Sequence, residues 1–291
     1  GFFSLDDYAA LVQYAAERFV TVVPEIDLPG HTNAALASYA ELNCDGIAPP
    51  PYTGTSVGFS TVCVEREATY RFVTDVVRTL AEASPGAYFH LGGDEVRELS
   101  PEHYAAFMAR AQAIVAEHGK RVIGWDEIAE VELLPQSIVQ VWRPAEAETQ
   151  AQIREAVEAG ATVVLSPADR VYLDIKYDAS TVLGLSWAGL NSVRDAYEWD
   201  PTTLLPGVAA AAIEGIEAPL WSETISTRAD LEFMTFPRLA GVADLSWAPA
   251  AAHDWDAFRL RLGAQAPRWT ALGINFYRSP DVPWASAPSR D

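Results

Sequence analysis

Short apolar runs separated by helical segments constrain the fold of this 291-residue chain more than any other feature. Six runs have the length and the β-branched or aromatic content of strands: residues 19–26, 87–91, 121–125, 138–142, 162–165 and 216–221. Helical patterns lie between or after them, at about 4–18, 32–42, 67–83, 100–119, 146–159, 228–235 and 255–264. A strand followed by a helix, repeated along the chain, predicts a parallel sheet covered by helices.

A TIM-type (β/α)8 barrel is the α/β architecture that this alternation favours, because polar and aromatic residues cluster just after each strand. We expect residues 1–291 to form one such domain, incomplete at the N-terminus, since about six of the eight βα units are visible. Two irregular insertions interrupt it, at about 43–66 and 166–208. A doubly wound sheet is the alternative, although no glycine-rich dinucleotide-binding motif follows any strand.

Charge and hydropathy exclude several classes of partner. The formal net charge of −20 repels phosphates and argues against a nucleic-acid partner. No run of about 18 apolar residues appears, so we expect no membrane-spanning helix. The first residues also lack the charged and apolar regions of a signal peptide.

The stretch from His90 to Glu95 brings two adjacent carboxylates to the end of the second predicted strand. Gly92 and Gly93 stop the strand and allow a sharp turn. Neighbouring side chains on a regular strand point to opposite faces, so Asp94 and Glu95 share one site only if the chain bends there. The alternative is an ordinary solvated turn before a helix.

Aromatic residues and further carboxylates follow the other predicted strands. Indole faces pack against the C–H faces of a sugar ring, and carboxylates accept hydrogen bonds from its hydroxyls, so this combination favours a carbohydrate site. Each tryptophan taken alone has the alternative role of core filler. The residues at these strand ends are Asp27, His31, Trp125, Asp126, Glu127, Trp142, Tyr172, Asp174, Trp221 and Glu223.

Six motifs follow one another along the chain: VVPEIDLPGH at 22–31, HLGGDE at 90–95, GWDEI at 124–128, VQVW at 139–142, YLD at 172–174 and APLWSE at 218–223. In this order they resemble the catalytic barrel of the family 20 glycoside hydrolases, the β-N-acetylhexosaminidases. The resemblance covers most of the chain. It implies an enzyme that removes terminal, non-reducing β-linked N-acetylglucosamine or N-acetylgalactosamine with retention of configuration.

The resemblance also implies a mechanism in which the 2-acetamido oxygen of the substrate attacks the anomeric carbon and forms an oxazolinium intermediate. Glu95 would be the general acid and later the general base. Asp94 would orient the acetamido group, and Tyr172 would donate a hydrogen bond to its carbonyl oxygen. No carboxylate nucleophile is then needed.

The remaining implied roles concern binding and support. Substrate binding falls to Trp125, Trp142, Asp174, Trp221 and Glu223, with Trp221 beneath the sugar ring. Support falls to Asp27, His31 and His90. For His31 the alternative is a capping residue at a helix start. The second acidic pair, Asp126 and Glu127, receives no role, because the matching motif assigns the site position to Trp125.

The front of the chain departs from the family pattern. Two barrel strands, an arginine that binds substrate hydroxyls and a small N-terminal α/β domain have no counterpart before the first motif. Open sheet edges would expose unpaired backbone groups, so we expect the edges to pair with another copy or another segment, or a smaller barrel to close with altered tilt. The alternative function is therefore a non-catalytic or weakly active sugar-binding barrel fragment.

Cys44 and Cys63 are the only cysteines, and they bracket the first irregular insertion. The resemblance favours a disulfide between them, and two buried thiols are the alternative. A persistent bridge would imply a secreted or otherwise extracytoplasmic location, because cytosolic thiols are kept reduced.

A metal-dependent hydrolase using His31, His90, Asp94 and Glu95 is the remaining alternative class. No H-E-x-x-H or equivalent ligand spacing is present, so we expect neither a metal nor a cofactor. The expected partners are oligosaccharides or glycoconjugates that end in N-acetylhexosamine. The sequence leaves the choice between gluco and galacto substrates open.

Overall fold

A computed structural model describes residues 2–286 of the chain. Its strands are β1 (Tyr88–His90), β2 (Arg121–Trp125), β3 (Ile138–Val141), β4 (Thr162–Leu165) and β5 (Ile213–Ile216). Its helices are α1 (Leu5–Ala16), α2 (Asn33–Ser38), α3 (Glu67–Ala83), α4 (Pro101–Glu117), α5 (Ala147–Glu158), α6 (Ala168–Val171), α7 (Arg228–Thr235), α8 (Arg238–Trp247), α9 (Trp255–Gly263) and α10 (Ala266–Ala271). Five short 3₁₀ helices are Ala40–Leu42, Asp126–Glu130, Pro201–Thr203, Ala210–Ala212 and Ala250–Ala252.

The chain divides into two compact units, one of residues 1–140 and 145–163 and the other of residues 141–144 and 164–291. The first unit holds β1, β2, most of β3 and the start of β4, side by side in that order. β1 pairs with β2 and β2 with β3, both in parallel. In the second unit, Glu217 N–H donates to the carbonyl of Leu165, which places the end of β5 beside the end of β4. The predicted parallel α/β class is confirmed, and a single domain over 1–291 stays a prediction.

Several helices begin where the sequence predicts them, because a capping side chain satisfies their free N–H groups. The Ser4 hydroxyl accepts from Asp7 N–H in a capping box at the start of α1. Ser100 caps α4 in the same way, with Pro101 at the first helical position. The segment 67–83 is helical over its predicted length.

Each unit has its own apolar core. In the first, fully buried side chains include Phe89 of β1, Val77 of α3, Phe107 and Met108 of α4, and Val139 of β3. In the second, the core is mainly aromatic: Tyr177 stacks on Tyr277 and Tyr197 on Phe258, each at 4.0 Å between ring centroids. Large aromatic side chains bury the most area per residue, so these layers stabilise the second unit.

The predicted buried strand at 19–26 is wrong in its extent. Glu25 forms a bridge parallel to His90, and Ile26 N–H donates to the His90 carbonyl at 3.1 Å, whereas residues 19–21 are exposed. The backbone explains the short pairing: Pro24 has no N–H to donate, although its carbonyl accepts from His90 N–H at 2.9 Å. Phe19 has a left-handed backbone with φ of 59° and a fully exposed ring. Self-association through such apolar surface stays a prediction.

The predicted strand at 216–221 is also wrong in position, since β5 ends at Ile216. Pro219 cannot donate in a ladder, and the alanine-rich residues before Ile213 read as helical rather than as the approach to a strand. The helix expected at 32–42 is interrupted at Tyr39, whose backbone is extended. The Asn43 amide donates to the carbonyls of Leu36, Tyr39 and Ala40, and so replaces the bonds of a longer helix.

The sequence patterns missed three helices, α6, α8 and α10. The predicted disulfide is confirmed: Cys44 and Cys63 are bonded and close the first insertion. Across residues 2–286, none of the helices has both the length and the apolar content needed to cross a bilayer.

Candidate active site

Four side chains of the first unit, Asp27, His31, Asp94 and Glu95, form what we call the carboxylate cluster. The Nε2 atom of His31 lies 3.2 Å from Oδ2 of Asp94 and 3.4 Å from Oε2 of Glu95. It lies 3.9 Å from Oδ2 of Asp27. One imidazole therefore contacts all three carboxylates.

The backbone bend that the two glycines permit is present and brings Asp94 and Glu95 together. Gly92 and Gly93 have φ of 70° and 99°, and Glu95 itself is left-handed at 55°. A Cβ on Gly92 would overlap the carboxylate of Asp27. Because glycine has no Cβ, Asp27 fits under the turn, and its Oδ1 accepts from Gly93 N–H at 3.1 Å.

The carboxylate cluster shares protons unequally. Hydrogen bonds to Asp94 and then Glu95 raise the pKa of His31 from 6.5 to about 10, so its imidazole is cationic at neutral pH. Burial, followed by the charge of Asp94, raises the pKa of Asp27 well above its usual value. Burial also acts to raise the pKa of Asp94, but bonds from His31 and Asp27 outweigh it and the pKa falls. Asp94 is therefore the ionised member of the buried pair.

The second oxygen of Asp94 is available to a ligand. Its Oδ1 atom is buried and has no hydrogen-bond partner among residues 2–286. A buried acceptor without a partner costs free energy, and a donor on a bound molecule would relieve that cost. Asp94 thus combines one anchored oxygen with one oxygen that can accept a hydrogen bond.

His90 supports the turn that carries the carboxylate cluster. Its Nδ1 accepts from Gly92 N–H at 3.0 Å, so Nε2 carries the ring proton and donates to Oε1 of Gln140 at 3.1 Å. Its ring lies edge-on to Trp125, 5.4 Å between centroids. The Trp125 indole N–H donates to Glu25 at 3.1 Å. Burial raises the pKa of Glu25 to about 7.

The other acidic pair is also close to the turn. Asp126 and Glu127 are buried at the start of a 3₁₀ helix, and Oε1 of Glu127 lies 3.4 Å from the backbone N of Glu95. This contact supports the backbone of Glu95, and no sequence pattern predicted it.

In the second unit, Trp142, Tyr172 and Trp187 form an aromatic cluster. The Trp187 ring lies edge-on to both others, with centroids 5.9 Å from Trp142 and 5.8 Å from Tyr172. More than half of the Trp187 side chain is exposed. Sequence reasoning placed Trp187 only in an irregular insertion, where no strand end marked it as a site residue.

Asp174 is buried two residues after Tyr172. Its Oδ1 lies 3.4 Å from the backbone N of Trp221, and its Oδ2 has no hydrogen-bond partner among the described residues. Burial raises the pKa of Asp174 to about 6, and the nearby charge of Glu223 adds to the shift. Trp221 and Glu223 are both exposed.

Arg238, a residue that sequence reasoning missed, fixes the backbone around Asp174. Its guanidinium donates to the carbonyls of Leu173 and Ile175 at 2.5 and 2.6 Å, one on each side of Asp174. It also donates to Asn191 and Met234 carbonyls at 3.1 Å, and it is fully buried. An apolar sequence context at the start of α8 gave no sign of this role.

One group of side chains bears on the metal-site alternative. Within residues 2–286, the only group of three His, Cys, Asp or Glu side chains close enough to hold a cation is Asp27, His31 and Asp94. His90 does not join this group, because both of its ring nitrogens have protein partners.

Comparisons with known proteins identify the family. The family described as "Glycosyl hydrolase family 20, catalytic domain" matches residues 1–104 and 100–250. A beta-N-acetylhexosaminidase of Cellulomonas fimi is 43% identical over 99% of this chain and 58% of that protein. A beta-hexosaminidase of Porphyromonas gingivalis is 33% identical over 95% of this chain and 38% of that protein.

Comparison with solved structures also finds hexosaminidases. The Streptomyces plicatus N-acetyl-beta-hexosaminidase in complex with Thio-NAglucal superposes with a TM-score of 0.96, at 54% identity, over 98% of this chain and 57% of that one. The chain thus spans 58% and 38% of the two curated relatives and 57% of the solved structure. The predicted TIM-type barrel class is confirmed by these matches. With most of its length matched by the catalytic-domain family and by named hexosaminidases, the chain belongs to glycosyl hydrolase family 20.

Proposed function

We propose that the protein is a retaining exo-glycosidase that removes terminal, non-reducing β-linked N-acetylglucosamine or N-acetylgalactosamine by substrate-assisted catalysis. The observation that carries the proposal is the state of Asp94. It is ionised, anchored through Oδ2 to His31, and has a buried, unpartnered Oδ1. An acetamido N–H is a donor of the kind this oxygen needs, and ionised Asp94 would stabilise the positive charge that develops there.

The adjacency of the two carboxylates supports the same mechanism. In most retaining glycosidases, two carboxyl groups face each other across the scissile bond, about 5 Å apart, and one is the nucleophile. Here the carboxylates of Asp94 and Glu95 contact the same nitrogen of His31, so they lie side by side and do not face each other across a scissile bond. The attacking atom is then the acetamido oxygen of the substrate. Glu95 donates its proton to the leaving oxygen and later takes a proton from water.

We take the remaining roles from the family resemblance. Tyr172 donates to the acetamido carbonyl oxygen, and Asp174 accepts from a ring hydroxyl through its unpartnered Oδ2. Glu223 binds a further hydroxyl. The apolar faces of the substrate pack on indole rings. We add Trp187 to the proposed indoles because its ring contacts both Trp142 and Tyr172. The proposed aromatic residues are Trp125, Trp142, Trp187 and Trp221.

The experiment compares two chromogenic substrates and one inhibitor. A β-N-acetylglucosaminide should be hydrolysed, whereas the β-glucoside, which lacks the acetamido group, should be a very poor substrate. A thiazoline that mimics the bicyclic intermediate should inhibit strongly. Comparable rates on both substrates would refute the acetamido nucleophile, and binding of N-acetylglucosamine without turnover would favour a sugar-binding protein instead.

The location and partners of the protein are part of the proposal. The disulfide between Cys44 and Cys63 supports an oxidising, extracytoplasmic compartment. The substrates would then be extracellular oligosaccharides or glycoconjugates that end in N-acetylhexosamine. Cell fractionation followed by activity measurement tests the location, and activity confined to the cytosol would contradict it.

A further inference from the structure

The segment between the two bonded cysteines, residues 44–63, lies against the carboxylate cluster, and we call it the rim loop. Val62 N–H donates to the carbonyl of Pro29 at 3.0 Å. Tyr52 N–H donates to the side chain of Asn33 at 2.8 Å, two residues beyond His31. One part of the rim loop is therefore fixed to the chain that carries His31.

A second contact fixes the rim loop beside Glu95. A Cβ built on Gly58 would lie 3.3 Å from the Glu95 carbonyl oxygen and 3.5 Å from Nε of Arg97. Gly58 also has a positive φ of 74°, which favours glycine. At Gly58 the rim loop therefore passes beside the backbone of Glu95.

The surface next to Glu95 has the chemistry of a sugar-binding site. Tyr52 and Phe59 form an edge-to-face pair with centroids 4.6 Å apart, yet their side chains are 45% and 40% exposed. The guanidinium of Arg97 lies 3.4 Å from Oε1 of Glu95, on a side chain that is 72% exposed. Aromatic faces pack against sugar C–H groups, and a guanidinium donates to hydroxyls.

The rim loop is also held in shape before any ligand arrives. The disulfide closes its two ends. Within it, Ser56 N–H donates to the Tyr52 hydroxyl at 3.1 Å. A preorganised surface loses less conformational entropy on binding, so its contacts contribute more to affinity.

We propose that Tyr52, Phe59 and Arg97 bind the sugar that leaves during the reaction. This inference rests on the proposed function: Glu95 protonates the leaving oxygen, so the group attached to that oxygen must lie next to Glu95. Arg97 contacts the Glu95 carboxylate, and the rim loop at Gly58 lies beside the Glu95 backbone. The ligand class is a pyranose ring, stacked on the aromatic pair and bonded through a hydroxyl to Arg97.

The test compares two substrates that differ only in the leaving group. N,N′-diacetylchitobiose loses a sugar, whereas the β-fluoride of N-acetylglucosamine loses a single atom that cannot contact the rim loop. For Phe59→Ala, we expect the ratio of kcat/KM values, chitobiose over fluoride, to fall about 3- to 10-fold. Phe59→Leu keeps apolar volume but loses the aromatic face, so it should lower the same ratio and provides a second variant if Phe59→Ala does not fold.

Tyr39→Ala is the matched control. Tyr39 is similarly exposed and paired with an aromatic ring, that of Phe72 at 5.5 Å, in a groove on α3. The ratio should stay at the wild-type value in this variant. An unchanged ratio in both Phe59 variants, or an equal fall in Tyr39→Ala, overturns the inference.

The outcomes also separate this inference from the proposed function. Wild-type protein that hydrolyses the fluoride, with a ratio that the Phe59 variants do not change, contradicts only the leaving-sugar site. Wild-type protein that hydrolyses neither substrate contradicts both.

Discussion

Nε2 of His31 lies 3.2 Å from Oδ2 of Asp94, and this contact sets the charge of the carboxylate cluster. It is the largest cause of the rise in the pKa of His31 from 6.5 to about 10. The protonated imidazole in turn keeps Asp94 ionised.

The first prediction concerns stability against pH. Because the folded pKa of His31 is raised, its stabilisation is complete below pH 6.5 and is lost as pH rises towards 10. We expect urea unfolding to show a fall in stability over this window, at a slope below about 1.4 kcal/mol per pH unit. His31→Gln should reduce the slope, whereas His103→Gln, an exposed control paired with Glu65, should not. Equal slopes in all three proteins would contradict the contact.

The second prediction separates Asp94 from Glu95. Glu95→Gln should lose roughly 10²- to 10⁴-fold in kcat/KM with a poor leaving group, and less with an activated aryl group that departs without a proton. Asp94→Asn should impair both substrates, because charge stabilisation at the acetamido group is needed whatever departs. Losses for Glu95→Gln that are equal across leaving groups would remove its assignment as general acid.

The third prediction concerns the acid limb of the activity profile. Burial raises the pKa of Asp174 to about 6, and only its ionised form is a pure acceptor for a sugar hydroxyl. We expect kcat/KM to rise with pH through about 6. In Asp174→Asn, the rate should be lower, and this limb should disappear. A profile whose limb near pH 6 persists in the variant would assign it to another group.

The fourth prediction tests the buried arginine. Arg238→Met leaves the carbonyls of Leu173 and Ile175 buried without their donor, so we expect a loss of about 3 kcal/mol or more in unfolding free energy. KM should also rise, since Asp174 lies between these carbonyls. Arg78→Met is the control: its side chain is 48% exposed and pairs with Asp75, whose side chain is 73% exposed, so its loss should stay below about 1 kcal/mol. Similar effects of the two substitutions would contradict the assigned role.

The fifth prediction concerns the rim loop. The bonded cysteines are separated by 19 positions, and opening a loop of this size should cost about 3 kcal/mol in the chain-entropy account. The double variant Cys44→Ser with Cys63→Ser should therefore unfold at lower urea concentration than the wild type. Two titratable thiols in unreduced, denatured wild-type protein would show that the bridge does not form.

Much of the fold and part of the site could be predicted from residues that are neighbours in the sequence. Ser100 and Pro101 define a helix start by their own chemistry, and Gly92 with Gly93 defines a sharp turn, so these features could be predicted from neighbouring residues. The contact of His31 with Asp94 and Glu95 could not be derived from spacing, since it joins distant parts of the chain. Family resemblance marked His31 only as a supporting group.

The missed features all depend on partners that sequence patterns do not reveal. Arg238 lies in a segment for which the sequence predicted no helix or strand, and the carbonyls around Asp174 to which it donates are more than 60 residues away in the chain. Trp187 lies in an insertion without periodicity, and only its ring contacts identify it. The β-branched residues at 19–26 predicted a longer strand than the one bridge that forms at Glu25. Pro24 has no N–H to donate, and the loss of one donor matters more where the pairing is already short.

The close approach of Asp27 to Gly92 has a consequence for how this sequence can change over generations. Any side chain at Gly92 collides with the Asp27 carboxylate, and the backbone there is left-handed. A shorter residue at Asp27 would not make room, because a Cβ on Gly92 would also lie 2.6 Å from the Asp27 Cα, and it would remove the acceptor for Gly93 N–H. A replacement at either position therefore damages the turn, and a change at the other position does not repair it. In a randomised library selected for activity, glycine should be retained at position 92 whatever residue stands at position 27.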